Sequence, residues 1–382
     1  MKSLYRRPLP ADLVPFASPE GRALFDEARA TGGMESFFQL IEQFHTQADP
    51  ALCGLGTLVV ALNALGIDPG RLWKGPWRWF SEDLLDCCVP LSQVRSRGIA
   101  LDELACLARC NGAQAEIGRP DAHDEEAFRS VVAAAAGSSV DPALIVNYDR
   151  RTLRQTGEGH FSPIGGYHRA RDLVLVLDVA RFKYPPHWVP LPLLYAATRP
   201  LDAVTGRPRG WIALRRTARP ASLLFTARCV GDEGFAATAA ALDGLMAALS
   251  RVAIRDVAEA LQVLLSAAAE VPVVLERRAL ALREHTSEAE ALLAALRTTA
   301  IHAAVARAVR PPWDADAATL LVLALPPAMW SPLPAEVRAA LADLLDLDNL
   351  PPMVRSECEY IQRQLADLCA LPSAGGCPRC AS

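Results

Sequence analysis

The chain has 382 residues, 39 of them basic and 43 acidic, for a net charge of −4. That balance leaves no basic stripe for nucleic acid and no charged tail, and no apolar run reaches the ~18 residues that a membrane span needs. At ~150 residues per domain the length suggests two or three domains, with cores large enough to need no disulfide or metal for folding.

The N-terminal stretch MKSLYRRPLPADLVPF lacks the apolar run and cleavage pattern of a secretory leader. Ten cysteines without such a leader are expected to be reduced thiols in a cytoplasmic setting. Apolar residues at helical spacing predict helices over Gly21–Arg29, Leu55–Leu65 and Leu101–Cys110. Strand-like runs follow at Ala143–Tyr148, His160–Tyr167 and Leu173–Ala180, and the polar HRARD between the last two reads as the turn of a hairpin. Helices first and strands later, without βαβ alternation, argue an α+β fold. No G-x-G-x-x-G or P-loop pattern marks a nucleotide site. After Arg216 the composition turns to Ala and Leu at helical spacing, over Phe235–Val252, Asp256–Ala269, Leu280–Arg307, Ala317–Leu325, Ala335–Leu347 and Val354–Leu371. Breaks between these stretches carry proline. The division is therefore a mixed domain over 1–220 and an all-helical domain over 221–382, ending in a cysteine-containing tail expected to be flexible.

Chemistry concentrates in the first domain. Cys53 follows Pro50 and opens the run Leu55, Leu58, Val59, Leu62 and Leu65, which reads as an amphipathic helix. A cysteine at a helix N-terminus feels the positive end of the helix dipole, which favours the nucleophilic thiolate. His160 enters a strand from a turn containing Gly157 and Gly159. Asp178 follows five apolar residues and is costly to bury without a partner. If the two strands form a hairpin, His160 and Asp178 meet at one end, and the acid fixes the imidazole tautomer. The order Cys, His, Asp matches a papain-like arrangement. Gln47, six residues before the nucleophile, would join the Cys53 backbone N–H in an oxyanion hole. The alternative is an ordinary buried cysteine with a structural glutamine.

The strings TQADPALCGLGTLVVALNALGIDPGRLWKGPWRWF, LLDCC, RQTGEGHFSPIGGY and LDVARFKYPPHWVPL resemble the phytochelatin synthase family, in its two-domain, eukaryote-like form. The likeness begins at SLYRRPLP, so the N-terminus is expected to belong to the fold. The resemblance implies a papain-like catalytic domain that cleaves the Cys–Gly bond of glutathione. It further implies a γ-Glu-Cys thioester, released glycine, and transfer to glutathione or a growing phytochelatin in metal detoxification. Cys53, His160, Asp178 and Gln47 fall on the family's catalytic positions, and Arg150, Arg181 and Lys183 fall where it has basic residues suited to glutathione carboxylates. Arg151 is the alternative to Arg150, and Arg181 with Lys183 can equally be a solvated strand edge. Leu52 departs from the aromatic that plant members often carry there. Trp73, Trp77 and Trp79 are expected to pack beneath the site rather than to form a binding platform.

No fixed cofactor is implied. Cd, Zn and Cu ions would act as activators or enter as metal–glutathione thiolates. The partners are glutathione, phytochelatin and heavy-metal ions, and a homodimer is a further expectation. Cys106 and Cys110 share one helix face and, with Cys87 and Cys88, are a candidate soft-metal site. Packing cysteines are the plainer reading. Cys377 and Cys380 form half of a zinc-type pattern, with Cys358 and Cys369 upstream. The acidic run Asp121–Glu126 reads as solvated surface. Two rivals remain: a hydrolase of the same fold acting on glutathione or its S-conjugates, and a non-enzymatic metal–thiolate buffer.

Overall fold

A computed structural model of the chain describes residues 6–69, 73–85, 88–217, 225–229, 244–268, 273–277, 286–311 and 313–370. They divide into two units. One comprises Met1–Pro69, Trp73–Leu85 and Leu91–Arg219; the other comprises Gly70–Leu72, Asp86–Pro90 and Pro220–Ser382.

In the first unit a short strand β1 (Val14–Pro15) precedes α1 (Pro19–Ala30), whose first turn is capped by the Ser18 hydroxyl accepting from the Gly21 N–H at 3.0 Å. Helices α2 (Glu35–Gln43), α3 (Cys53–Ala64), α4 (Leu91–Arg97) and α5 (Leu101–Cys110) follow. Then come β2 (Ala113–Gly118), α6 (Glu125–Ala136), β3 (Ala143–Asp149), β4 (Gly159–His168), β5 (Leu173–Val176), β6 (His187–Pro190), α7 (Leu191–Thr198) and β7 (Gly210–Arg216). The strands form one antiparallel sheet in the order β1-β6-β5-β4-β3-β7-β2.

Both faces of the sheet are covered, which explains why β3, β4 and β5 are buried along their length without alternation. Along β5, Val174 and Val176 join Phe128 and Val132 of α6 and Leu194 of α7 in one core. Leu173 and Leu175 point the other way, into a core with Leu24, Phe37 and Val60 from α1, α2 and α3. The α3 helix is therefore buried on nearly every side from Gly54 to Leu62, rather than amphipathic. The acidic run is surface, as its composition suggests, and has local work: Asp124 caps α6 by accepting from the Ala127 N–H, and Glu125 pairs with Arg129.

The hairpin exists. β4 and β5 pair antiparallel around a turn at Arg169–Arg171, closed by Asp172 at φ 51°. Strand β5 stops at Val176, short of Ala180. Leu177 still donates to the Pro163 carbonyl at 3.0 Å, but the Asp178 carboxylate then accepts the Ala180 N–H at 2.9 Å and turns the chain out of the ladder.

The second unit contains α8 (Val257–Ala268), α9 (Thr286–Arg297), α10 (Ala300–Ala308), α11 (Ala315–Ala324), α12 (Ala335–Leu345) and α13 (Pro352–Ala370). Of the stretch Phe235–Val252, positions 244–251 are helical and 235–243 lie outside the described residues. Two features depart from an all-helical reading. A ribbon pairs β8 (Phe225–Cys229) with β9 (Val273–Arg277). The stretch expected as one helix over Leu280–Arg307 is two, bent by 81°, because the Thr299 hydroxyl accepts the His302 N–H and caps a new helix. Buried Asp316 ties these helices together, accepting from Arg297 at 2.7 Å and lying 3.1 Å from the His302 ring.

Phe128 is fully buried and its ring centroid lies 4.7 Å from that of Trp211. Phe128→Ala should lower the unfolding free energy by ~3–5 kcal/mol in a urea titration, whereas Glu126→Gln on the exposed side of the same helix should change it by less than ~1 kcal/mol.

Candidate active site

Cys53 is the first residue of α3, placed there by a turn in which the Leu52 N–H donates to the Asp49 carbonyl at 2.9 Å. The Asp49 side chain accepts the Ala51 N–H at 2.9 Å and locks the same turn. Two opposing influences act on the thiol. Burial pushes its pKa up, but the charge and hydrogen bond of His160, a bond from Phe161 N–H and the charge of Arg150 outweigh it, and the net direction is down.

His160 lies at the start of β4, with Nε2 2.9 Å from Asp178 Oδ1. The carboxylate can only accept, so Nε2 carries a proton and Nδ1 is left for the Cys53 thiol. Burial and Arg150 pull the imidazole pKa down; Asp178 and Cys53 pull it up and prevail. Asp178 is 0% exposed. Burial alone would raise its pKa, yet the charges of His160 and Arg150 hold it well below the usual carboxylate range. The directions of these shifts favour a thiolate beside an imidazolium, with the ring oriented by a buried carboxylate.

Arg150 differs from its expected role. It is 2% exposed, with Nη2 2.9 Å from Asp178 Oδ1 and 2.8 Å from Oδ2, and with Nη1 donating to Gln155 Oε1 at 2.5 Å. Its guanidinium also lies over the Tyr184 ring at 5.1 Å. A cation so enclosed and committed is not presented to a substrate carboxylate. Arg151 is exposed and paired with Glu158. By contrast, Arg181 is exposed over the Phe44 ring, Lys183 is half-buried, and neither pairs with a carboxylate among the described residues. Burial, then Arg150, lowers the Lys183 pKa.

Gln47 is buried beside the nucleophile's helix, and its backbone N–H donates to Val179 O at 3.1 Å. In this state its amide nitrogen donates to the carbonyls of Asp49 (2.7 Å) and Pro50 (3.0 Å), while Oε1 is buried without a hydrogen bond. The expected oxyanion donor is therefore occupied by the turn before Cys53. The loop is held by Glu82, which accepts the Ala48 N–H at 3.1 Å. Gly56 permits this packing: a Cβ there would lie 2.9 Å from Glu82 Oε1 and 3.2 Å from Gln47 Cβ. Glu82 escapes a reading of the sequence, as do Gln155 and His187. A polar residue opening an apolar strand, as in HWVPL, is the signal that points to His187.

The three tryptophans are not packed beneath the site. Trp73, Trp77 and Trp79 are all exposed, Trp77 at 70%. Of the candidate metal ligands, Cys87, Cys377 and Cys380 lie outside the described residues, as does the Cys369 side chain. Cys88, Cys106 and Cys110 are each buried and not disulfide-bonded. Cys106 and Cys110 stand one turn apart on α5, with sulfurs within 4.8 Å of one another. Cys358 is buried in α13, where burial pushes its thiol pKa up, away from the thiolate that binds metal.

The family model for phytochelatin synthase matches residues 4–211, which include the whole triad. The chain belongs to the phytochelatin synthase family. It is 50% identical to glutathione gamma-glutamylcysteinyltransferase 3 of Lotus japonicus over 262 residues, 68% of this chain and 54% of that protein. Identity to glutathione gamma-glutamylcysteinyltransferase 1 of Arabidopsis thaliana is 52% over 230 residues, 60% of this chain and 47% of that protein. The glutathione gamma-glutamylcysteinyltransferase of Schizosaccharomyces pombe is 43% identical over 225 residues, 58% of this chain and 54% of that protein. The chain spans about half the length of these relatives.

Iodoacetamide labelling of Cys53, followed by peptide mass against pH, should show a midpoint below the ~8.5 of an ordinary cysteine. His160→Ala should move that midpoint upward, because burial then acts against the thiolate without its main counter-charge.

Proposed function

We propose that this phytochelatin synthase family member is a γ-glutamylcysteine dipeptidyl transpeptidase that builds phytochelatins from glutathione through a Cys53 thioester. The supporting observation is the alignment of half-buried Cys53 with buried His160 and Asp178 in a chain 43–54% identical to proteins named for this transfer. A thiolate activated by a base that a carboxylate orients is the equipment of acyl transfer.

The Cys53 thiolate attacks the carbonyl of the Cys–Gly bond. Negative charge gathers on that oxygen beside the N-terminus of α3, where the first backbone N–H groups have no intrahelical partner. Gln47 adds a donor if its amide turns from the Asp49 and Pro50 carbonyls. His160 gives its Nδ1 proton to the departing glycine nitrogen, leaving a γ-Glu-Cys thioester and a neutral imidazole. The amine of a second glutathione or of a phytochelatin then attacks the thioester and passes its proton to Nδ1. This restores the thiolate–imidazolium pair. Arg181 and Lys183, cations without carboxylate partners among the described residues, hold acceptor carboxylates. Metal ions such as Cd, Zn or Cu enter on glutathione thiolates, and a cytoplasmic setting keeps substrate and nucleophile reduced.

The test is purified protein with glutathione, with and without Cd²⁺, read by product mass. Polymers that rise with Cd²⁺ and vanish in Cys53→Ser are expected. Glycine and free γ-Glu-Cys without polymers would replace this reading with hydrolysis. Lys183→Ala should raise the acceptor KM by ~10-fold while first-turnover glycine release stays within ~3-fold of wild type.

A further inference from the structure

The polar chain behind Asp178 does not end at Arg150. The Gln155 side chain is buried, with Oε1 on Arg150 Nη1 and Nε2 3.0 Å from Nε2 of His187. His187 is fully buried at the start of β6, with Nδ1 2.8 Å from the Pro185 carbonyl. That carbonyl only accepts, so Nδ1 carries the proton and Nε2 presents a lone pair. The lone pair in turn fixes which way the Gln155 amide faces: nitrogen toward His187, oxygen toward Arg150. With the amide reversed, an NH₂ group would face the guanidinium and two acceptors would face each other. Gln155 is itself anchored, its backbone N–H donating to the Arg150 carbonyl at 2.8 Å.

We propose that Gln155 and His187 are positioning residues that aim the Arg150 guanidinium at Asp178, and so set how strongly Asp178 acts on His160 and Cys53. Neither touches the reacting atoms. The inference rests on reading Cys53, His160 and Asp178 as the catalytic triad. A lone carboxylate would hold the imidazolium tightly and disfavour the thiolate. A guanidinium sharing that carboxylate offsets part of its charge at both groups. Besides Arg150, the charged and titratable groups around this chain among the described residues include Asp178, His160, Cys53, Lys183 and, beside Lys183, Arg7, with the buried rings of Tyr148 and Tyr184 against the guanidinium.

Burial and the neighbouring cations hold the His187 pKa below its ordinary value. The ring therefore stays neutral at neutral pH and keeps its acceptor, consistent with the proposed tautomer.

The test uses three variants of the full chain: Gln155→Met, His187→Leu and His187→Gln. The last restores an acceptor oxygen near the place of Nε2. Iodoacetamide labelling of Cys53 against pH reads the ion pair without any substrate, so it remains valid whatever glutathione assays show. When Arg150 slips from Asp178, positive charge leaves the pair, and both limbs of the profile should move to higher pH by ~0.5–1 unit in Gln155→Met and His187→Leu. With glutathione, kcat should fall ~10-fold with KM within ~2-fold. His187→Gln should return both limbs toward wild type. A purely structural role would lower the melting temperature and leave the limbs in place, and that result overturns the proposal. Equal behaviour of His187→Gln and His187→Leu overturns it as well. Because that comparison needs only the His187 pair, it decides the matter even if Gln155→Met does not fold.

Discussion

A charge with no access to water sits at Asp178, and the end of the first unit that carries Cys53 and His160 is organised around keeping it there. An ionised carboxylate in such a place is tolerated only when its neighbours replace the lost hydration. Four groups do so: the His160 ring, the Arg150 guanidinium, the Ala180 N–H and, through Arg150, the Gln155 amide. They come from three stretches of chain, since Gln155 and Arg150 share one turn, and each direct contact fixes something the chemistry needs. The Ala180 contact ends β5, the His160 contact selects the tautomer, and the Arg150 contact shares out the charge. Local structure, electrostatics and reactivity thus meet in one side chain.

The sheet makes this arrangement possible. With both faces covered, the sheet places its polar ends away from bulk solvent. The β4–β5 hairpin brings His160 and Asp178 together, while α3 packs against β4 and delivers Cys53 to the same end. The nucleophile's helix is itself wrapped in apolar side chains. Its first-turn N–H groups consequently face the site in a setting of low dielectric, where partial charges act strongly.

Much of this was legible in the sequence because it is written locally. The helix over Leu101–Cys110, the three strands and the HRARD turn carry their own periodicity and turn chemistry. The meeting of His160 with Asp178 followed from hairpin geometry alone. What escaped was set by tertiary partners. Nothing in NYDRRTL tells a buried Arg150 from an exposed Arg151; the distinction arises when Asp178 arrives from beyond β5 and Gln155 folds back onto Arg150. The amphipathic reading of α3 failed because residues on its second face meet other apolar elements rather than water. Tryptophan predicts burial on average, and so misleads for Trp73, Trp77 and Trp79. In the second unit, the short strands Phe225–Cys229 and Val273–Arg277 sit in a composition dominated by Ala and Leu, which hides them.

The contact at Gly56 has a different kind of consequence. The two flanks of Cys53 are held by unlike forces. On the His160 side, position depends on charges and protons, so acid, base and salt can all move it. On the Gln47 side, the backbone and Cβ of the loop rest directly against a helix position that has no side chain. Contact of that sort has no pKa and no Debye length. Solution conditions act on the His160 wall of the cleft throughout and on the Gln47 wall through the Glu82 carboxylate, while the contact at Gly56 answers to changes in atomic volume.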